Sequence, residues 1–149
     1  MSTGSVQRIG EVMPVDAWTT LKSENDARLI DVRTQAEWDF VGVPDLSEIG
    51  QTLICVQWAS FPGMSANTRF VEMVMDELGA GASGKFLFLC RSGVRSMHAA
   101  QAIASHLFAK GLAGECINVA EGFEGNMDYD GHRGNRNGWK NRGLAWRQS

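Results

Sequence analysis

The residues with the clearest capacity for covalent chemistry form one short run, Cys90-Arg91-Ser92-Gly93-Val94-Arg95-Ser96, which follows directly on the apolar Phe86-Leu87-Phe88-Leu89. A cysteine attacks through its thiolate, and an electropositive setting favours that form. Arg91 and Arg95 supply part of such a setting. The rest would come from local structure. If Phe86–Leu89 is a strand and a helix begins close behind the glycine, the backbone N–H groups of the loop and the positive end of the helix dipole make an anion cradle around the sulfur. Cys90 is therefore expected to be a nucleophile with its thiolate stabilised, held in an anion-binding loop of Arg91, Ser92, Gly93, Val94 and Arg95. A free cysteine that merely ends a buried strand is the competing description. It suits Cys55 and Cys116 better, since both fall inside apolar runs and are expected in the core.

The elements that must position this loop can be read from periodicity. Short apolar runs recur at Leu29–Val32, Leu53–Val56, Phe86–Leu89 and Cys116–Val119, as expected of strands buried on both faces. Between them lie stretches of helical period, with Val15, Trp18 and Leu21 on one face, then Phe70, Val74 and Leu78, then Ala99, Ile103 and Leu107. Alternating strand and helix predicts an α/β fold, three layers deep, with a mainly parallel sheet and helices on both faces. Ligands gather at the carboxyl edge of such sheets. Asp31 and Arg33 end the first run and belong at that edge beside Cys90. Arg33 and Glu37, four positions apart across a strand-to-helix junction, are expected to pair and pin the corner while Asp31 orients the neighbouring loop. All three are expected to support the site, with stability as their main contribution.

Composition narrows the class. A chain of 149 residues, 44% hydrophobic, is the size of one ordinary domain; it is placed at residues 10–149 behind an N-terminal extension of residues 1–9. The net charge of −3 and the lack of a basic stripe exclude a nucleic-acid binder. No apolar run approaches the ~18 residues of a membrane span, and no apolar stretch follows a basic start, so a soluble cytoplasmic protein is expected. Three cysteines without paired spacing suit a reducing compartment and give neither a disulfide framework nor a zinc site. Asp128, Asp130 and His132 alternate, but they lack the longer ligand series and closing glutamate of a calcium loop, so they read as turn residues. His98 and His106 sit about two helical turns apart, too far to chelate. Residues 122–143 shift to Gly, Asn, Asp and Arg. This excursion either folds over the loop to shape an acceptor pocket near Trp139 or runs as a surface connection.

Taken together, Asp31-Val32-Arg33 with Glu37-Trp38, the Cys90 to Ser96 loop, Gly122 and Gly138-Trp139 resemble the rhodanese homology domain over nearly the whole chain. That resemblance implies a sulfurtransferase of the thiosulfate type. Cys90 would take a sulfane sulfur from a small anionic donor as a persulfide and pass it to cyanide, a thiol or a protein, with no metal or organic cofactor. Four residues separate Cys90 from Arg95, whereas related cysteine phosphatases place the arginine one position further on. The shorter ring suits a single sulfur better than a phosphate. The basic loop resembles thiosulfate users more than mercaptopyruvate users. A non-catalytic binding module and a cysteine phosphatase or arsenate-handling enzyme are the alternatives. The chain departs from the family where many relatives have Gly-His-Ile-Pro-Gly-Ala: it reads Val41-Gly42-Val43-Pro44-Asp45-Leu46, without the histidine.

Overall fold

The structure, a computed structural model, describes residues 8–148; residues 1–7, most of the expected N-terminal extension, and residue 149 lie outside them. In chain order the elements are β1 (Gly10–Val12), α1 (Pro14–Ser23), β2 (Arg28–Asp31), α2 (Gln35–Phe40), β3 (Val43–Pro44), β4 (Ile54–Cys55), β5 (Ala59–Ser60) and β6 (Ser65–Ala66), followed by α3 (Phe70–Leu78), β7 (Lys85–Leu89), α4 (Val94–Lys110), β8 (Glu115–Val119) and β9 (Trp146–Arg147). Five strands form one sheet in the order β1-β8-β7-β2-β4, and every pairing in it is parallel. All four apolar runs are strands of this sheet. β3 with β9 and β5 with β6 are short antiparallel ladders outside it.

Because side chains alternate along a strand, each run divides its apolar residues between the two faces. On one face Ile30, Ile54, Phe86, Phe88 and Cys116 pack under α3 and α4, which contribute Phe70, Val74 and Leu78, and Ala99, Ile103 and Leu107. On the other, Leu29, Leu87, Leu89, Ile117 and Val119 meet α1. The three layers and the parallel sheet are thus as the periodicity predicts. On the α1 side, however, one helix is not enough cover. Phe123 and Trp139, from the Gly/Asn-rich segment, complete that layer and are fully buried. Trp18 meets Trp139 edge-on, with ring centroids 6.0 Å apart.

Two expected core positions differ. The buried stripe of α1 is Pro14, Ala17 and Leu21, so Val15 points outward and is 48% exposed. Cys55 is exposed. It lies on β4, a two-residue edge strand, where Ile54 and Val56 take the covered face and leave the intervening side chain on the thinly covered one. Cys116, on the interior strand β8, is buried as expected. No helix among the described residues is long and apolar enough to cross a membrane.

The end of β2 holds a buried ion pair. Arg33 and Asp31 are both fully buried, and Arg33 donates to both Asp31 oxygens, at 2.7 Å from Nη2 to Oδ2 and 2.9 Å from Nε to Oδ1. Arg33 Nη2 also donates to the Gly42 carbonyl at 2.8 Å, and the guanidinium lies over the Phe123 ring with Cζ 4.2 Å from its centroid. Burial alone would lower the Arg33 pKa, but the Asp31 carboxylate outweighs it and the pKa is raised. The pair therefore ties β2 to the segment before β3 and to the Phe123 side of the core. Removing one partner leaves a buried charge unmatched, a loss of about 3–5 kcal/mol. Asp31→Ala is expected to lower the melting temperature by roughly 10 °C, measured by circular dichroism; a shift within 2 °C (about 0.5–1 kcal/mol) would contradict the pinning role.

Candidate active site

β7 is the central strand, so the loop after it opens at the carboxyl edge between the ends of β2 and β8. The alternation that buries Phe86 and Phe88 under α4 also turns Cys90 to that face. Its sulfur sits at the N-terminus of the 17-residue helix α4, whose first turn leaves backbone donors without helical partners. Gly93 N–H donates to Cys90 Sγ at 3.1 Å, and Ser96 Oγ lies 3.2 Å from the same atom. Cys90 is only 1% exposed. Val94 is the first residue of α4 and points outward, while Ser92 and Gly93 are half-buried and Arg91 is exposed.

The loop is held from two sides. From behind, the Cys90 carbonyl accepts from Phe123 N–H at 2.8 Å, and the Arg91 carbonyl accepts from Glu124 N–H at 3.0 Å and Gly125 N–H at 3.2 Å. Gly122 makes this approach possible. A Cβ there would lie 2.5 Å from the Cys90 carbonyl oxygen and from Arg91 backbone atoms, at a φ of +67°. From beside it, Asn118 on β8 donates through Nδ2 to the Gly93 carbonyl at 3.1 Å and to Glu11 Oε2 at 3.2 Å, and its Oδ1 lies 2.5 Å from Ser96 Oγ. Asn118 is a buried polar residue inside an apolar strand. That anomaly is legible in Cys116-Ile117-Asn118-Val119, and sequence reasoning missed it.

The expected Arg33–Glu37 hydrogen-bonded pair does not form. Arg33 is spent on Asp31 and Gly42, and Glu37 is bonded to Arg95, with Nη1 2.8 Å from Oε1 and Nη2 3.0 Å from Oε2. Helix capping explains the exchange. Thr34 caps α2, its Oγ1 accepting from Glu37 N–H, while Glu37 Oε1 accepts from Thr34 N–H at 3.1 Å. This is a capping box, readable as Thr34-Gln35-Ala36-Glu37. It turns the carboxylate toward the loop, where Arg95 meets it. Asp31 bonds Arg33 and not the cysteine loop.

A cavity of about 510 Å³ opens over the loop. Its charged wall comprises Arg91, Arg95 and Arg133 with Glu37 and Glu124. Arg95 is matched by Glu37, whereas Arg91 has no ion-pair partner among the described residues. Arg133 and Glu124 come from the Gly/Asn-rich segment, which therefore lies both behind the loop and on the cavity wall. Trp139 is in the core beneath. Trp58 packs edge-on against Phe70, 5.0 Å between centroids. The Asp128 carboxylate accepts from the backbone N–H groups of Asp130 and His132, both at 2.9 Å, and from Asn135 Nδ2, in the manner of a turn. His98 is exposed on α4 and His106 is half-buried.

A parallel α/β domain with a cysteine loop at the carboxyl end of its central strand is the architecture of sulfurtransferase-type folds. No protein-family model matches the chain. It is 39% identical to Rv0390 from M. tuberculosis, whose crystal structure superposes with a TM-score of 0.81 over 96% of this chain and 100% of that one. The polysulfide-sulfur transferase homodimer of Wolinella succinogenes superposes at a TM-score of 0.55, with 19% identity over 95% of this chain and 80% of that one. An uncharacterised protein of Rickettsia prowazekii, RP600, is 31% identical over 138 residues, covering 93% of this chain and 97% of that protein. A homologue from Rickettsia conorii is 33% identical over the same length. The chain belongs to the rhodanese-like family.

The Glu37–Arg95 clasp makes stability depend on acid. Burial pushes the Glu37 carboxyl up, but hydrogen bonding and attraction from Arg95 outweigh it, and the pKa ends below the ordinary value. A carboxylate depressed in the folded state stabilises it fully above its unfolded pKa of about 4.3 and loses that contribution as pH falls through the folded value. Glu37→Gln is expected to lower stability at neutral pH by about 2 kcal/mol and to flatten the decline between about pH 5 and pH 3. Urea titrations across that range check it; equal pH slopes in variant and parent would refute the clasp.

Proposed function

We propose that the protein is a sulfurtransferase that moves a sulfane sulfur from thiosulfate or a similar small anionic donor to a thiophilic acceptor through a persulfide on Cys90. The observation that carries this reading is the Gly93 N–H donated to Cys90 Sγ at a helix N-terminus, beside a cavity whose wall includes the unmatched Arg91. A backbone donor and a positive dipole aimed at one sulfur stabilise negative charge there in both the thiolate and the persulfide.

In the first half-reaction the Cys90 thiolate attacks the outer sulfur of thiosulfate. A sulfur–sulfur bond to Cys90 forms, the bond to the sulfonate sulfur breaks, and sulfite leaves with the electron pair. In the second, an acceptor such as cyanide or a thiolate attacks the terminal persulfide sulfur, and the Cys90 thiolate is released. This is two-step covalent catalysis, and it calls on no metal or organic cofactor. Arg91 draws the donor dianion to a chain of net charge −3. Arg95, neutralised by Glu37, acts mainly as the strut that fixes the loop. The acceptor in the cell is a thiol or a protein, and a reducing cytoplasm suits three cysteines that are all free.

The spacing of four residues between Cys90 and Arg95 favours this chemistry over phosphoryl transfer. A rhodanese-fold neighbour from Rhodopseudomonas palustris, 19% identical with a TM-score of 0.50, is described as a possible tyrosine phosphatase. Cys90-dependent hydrolysis of an aryl phosphate would move this chain to that class.

Intact-protein mass spectrometry after exposure to thiosulfate is expected to show a gain of one sulfur in the parent, none in Cys90→Ser, and loss of the adduct on adding cyanide. No adduct on folded protein with any sulfane donor would leave a binding module as the better reading. Arg91→Gln is expected to lower kcat/KM for thiosulfate by roughly tenfold and to weaken its dependence on salt. A kcat/KM equal to the parent's at low ionic strength would remove Arg91 from donor capture.

A further inference from the structure

Asn118 is a polar side chain buried in an apolar strand, on the face of the sheet that carries Phe88 and Cys90, and packing alone gives no reason for it. Its hydrogen bonds fix which way the amide points. The Gly93 carbonyl and the Glu11 carboxylate only accept, so the group that meets both, at 3.1 and 3.2 Å, is Nδ2 with its two N–H bonds. Oδ1 therefore faces Ser96, and an amide oxygen only accepts. Ser96 has one hydroxyl proton, and the 2.5 Å contact with Oδ1 takes it. Ser96 Oγ also lies 3.2 Å from Cys90 Sγ, but with its proton committed it meets that sulfur through lone pairs. Among the described residues, the Gly93 N–H is then the donor left to Sγ.

We propose that Asn118 is a positioning residue for sulfur transfer: by holding the Ser96 proton it withholds a second hydrogen bond from the Cys90 thiolate, and so favours the sulfur-loaded protein over the empty one. This rests on the sulfurtransferase reading and deepens it at the same site. In the thiolate the negative charge sits on Sγ, where a hydroxyl donor makes a strong, charge-assisted hydrogen bond. In the persulfide the charge has moved to the terminal sulfur, and Sγ is a neutral bridging atom that gains little from a donor. Lone pairs turned toward Sγ thus oppose the thiolate and are tolerated by the persulfide.

The two half-reactions respond in opposite directions. In loading, a bond forms between Cys90 Sγ and the outer sulfur of thiosulfate, the bond to the sulfonate sulfur breaks, and sulfite leaves with the electron pair. In discharge, cyanide bonds to the terminal sulfur, the bond from that sulfur to Sγ breaks, and its electron pair returns to Cys90 as thiocyanate departs. A thiolate with fewer hydrogen bonds attacks faster, and leaves more slowly, than one that is better stabilised. Asn118 therefore speeds loading and slows discharge, which lengthens the life of the loaded state.

The test is Asn118→Leu, which keeps the branched shape of the side chain, neither accepts nor donates, and frees the Ser96 hydroxyl to turn to Sγ. Rate constants for loading by thiosulfate and discharge to cyanide are read by rapid quenching and intact mass. They are taken at the alkaline plateau of each pH profile, so that thiolate is compared with thiolate. Loading is expected to slow and discharge to quicken, each by roughly threefold. The equilibrium constant for persulfide at a fixed thiosulfate-to-sulfite ratio should fall roughly tenfold, the scale of one hydrogen bond to a charged group. In a Ser96→Ala background, with no proton to release, the same substitution should change that constant by less than about threefold. Loosening of the loop by itself would slow both half-reactions, with or without Ser96. Ser96→Ala alone removes one buried oxygen and should stay within about threefold of the parent, because the thiolate loses no donor; it decides the point even where Asn118→Leu does not fold. A gain of persulfide beyond about threefold in Ser96→Ala, half-reactions that move together in folded Asn118→Leu, or an equal shift with and without Ser96 overturns the role of Asn118. Persulfide formed from thiosulfate still supports the sulfurtransferase in each of those cases. No persulfide in the parent overturns both.

Discussion

A parallel sheet delivers the carboxyl ends of its strands to one edge, and every feature of this site follows from that constraint. β7 is the middle strand, so the loop that leaves it has a neighbour on each side. β2 ends in Asp31 and leads to Arg33 and the capped start of α2, while β8 brings Asn118 against the loop from the other direction. Strand alternation then decides which residues share a face. Cys90 and Asn118 turn toward α4, whereas Asp31 and Arg33 serve the opposite side, where Phe123 and Trp139 fill the core. Cys90 and the buried ion pair are thus neighbours at one edge with different tasks.

Rigidity of the loop comes from hydrogen bonds to its backbone carbonyls, and that leaves the Gly93 amide to face the sulfur. The Cys90 and Arg91 carbonyls are both taken up by residues 123–125, and the Gly93 carbonyl by Asn118. With the carbonyls held outward, Gly93 N–H points to Sγ. A site that must stabilise negative charge works best when its dipoles are fixed beforehand, because no reorganisation is then needed during reaction. The Glu37–Arg95 clasp adds a lateral restraint at the cost of neutralising one loop arginine. Arg91 is left as the loop's exposed, unpaired cation among the described residues, and Arg133 lines the same cavity. Two arginines that look equivalent in the loop sequence therefore differ in the fold, Arg95 being ion-paired and Arg91 having no ion-pair partner among the described residues.

Sequence alone determined the parallel α/β plan, the placement of Cys90 after a buried strand, and the start of a helix just behind it. Those features rest on periodicity and on the local contrast between Leu89 and the polar residues after Cys90, which are short-range signals. The capping box at Thr34 and Glu37 and the buried Asn118 were also written locally and were open to recognition. What only the tertiary structure decided were the partners. Whether Arg33 meets Asp31 or Glu37, and whether Glu37 reaches Arg95 across 58 positions, depends on how α2 is aimed relative to the loop. Cys55 came out exposed because its strand is an edge, a fact of sheet order that a run of four apolar residues does not carry. The Gly/Asn-rich segment left open whether it folds over the loop or runs as a surface connection, and it does neither alone: two large aromatic residues within it complete a core layer, and Gly122 lets the backbone lie against Cys90. Pairings between segments far apart in the chain are set by the packing of whole layers, and composition within a segment holds no record of them.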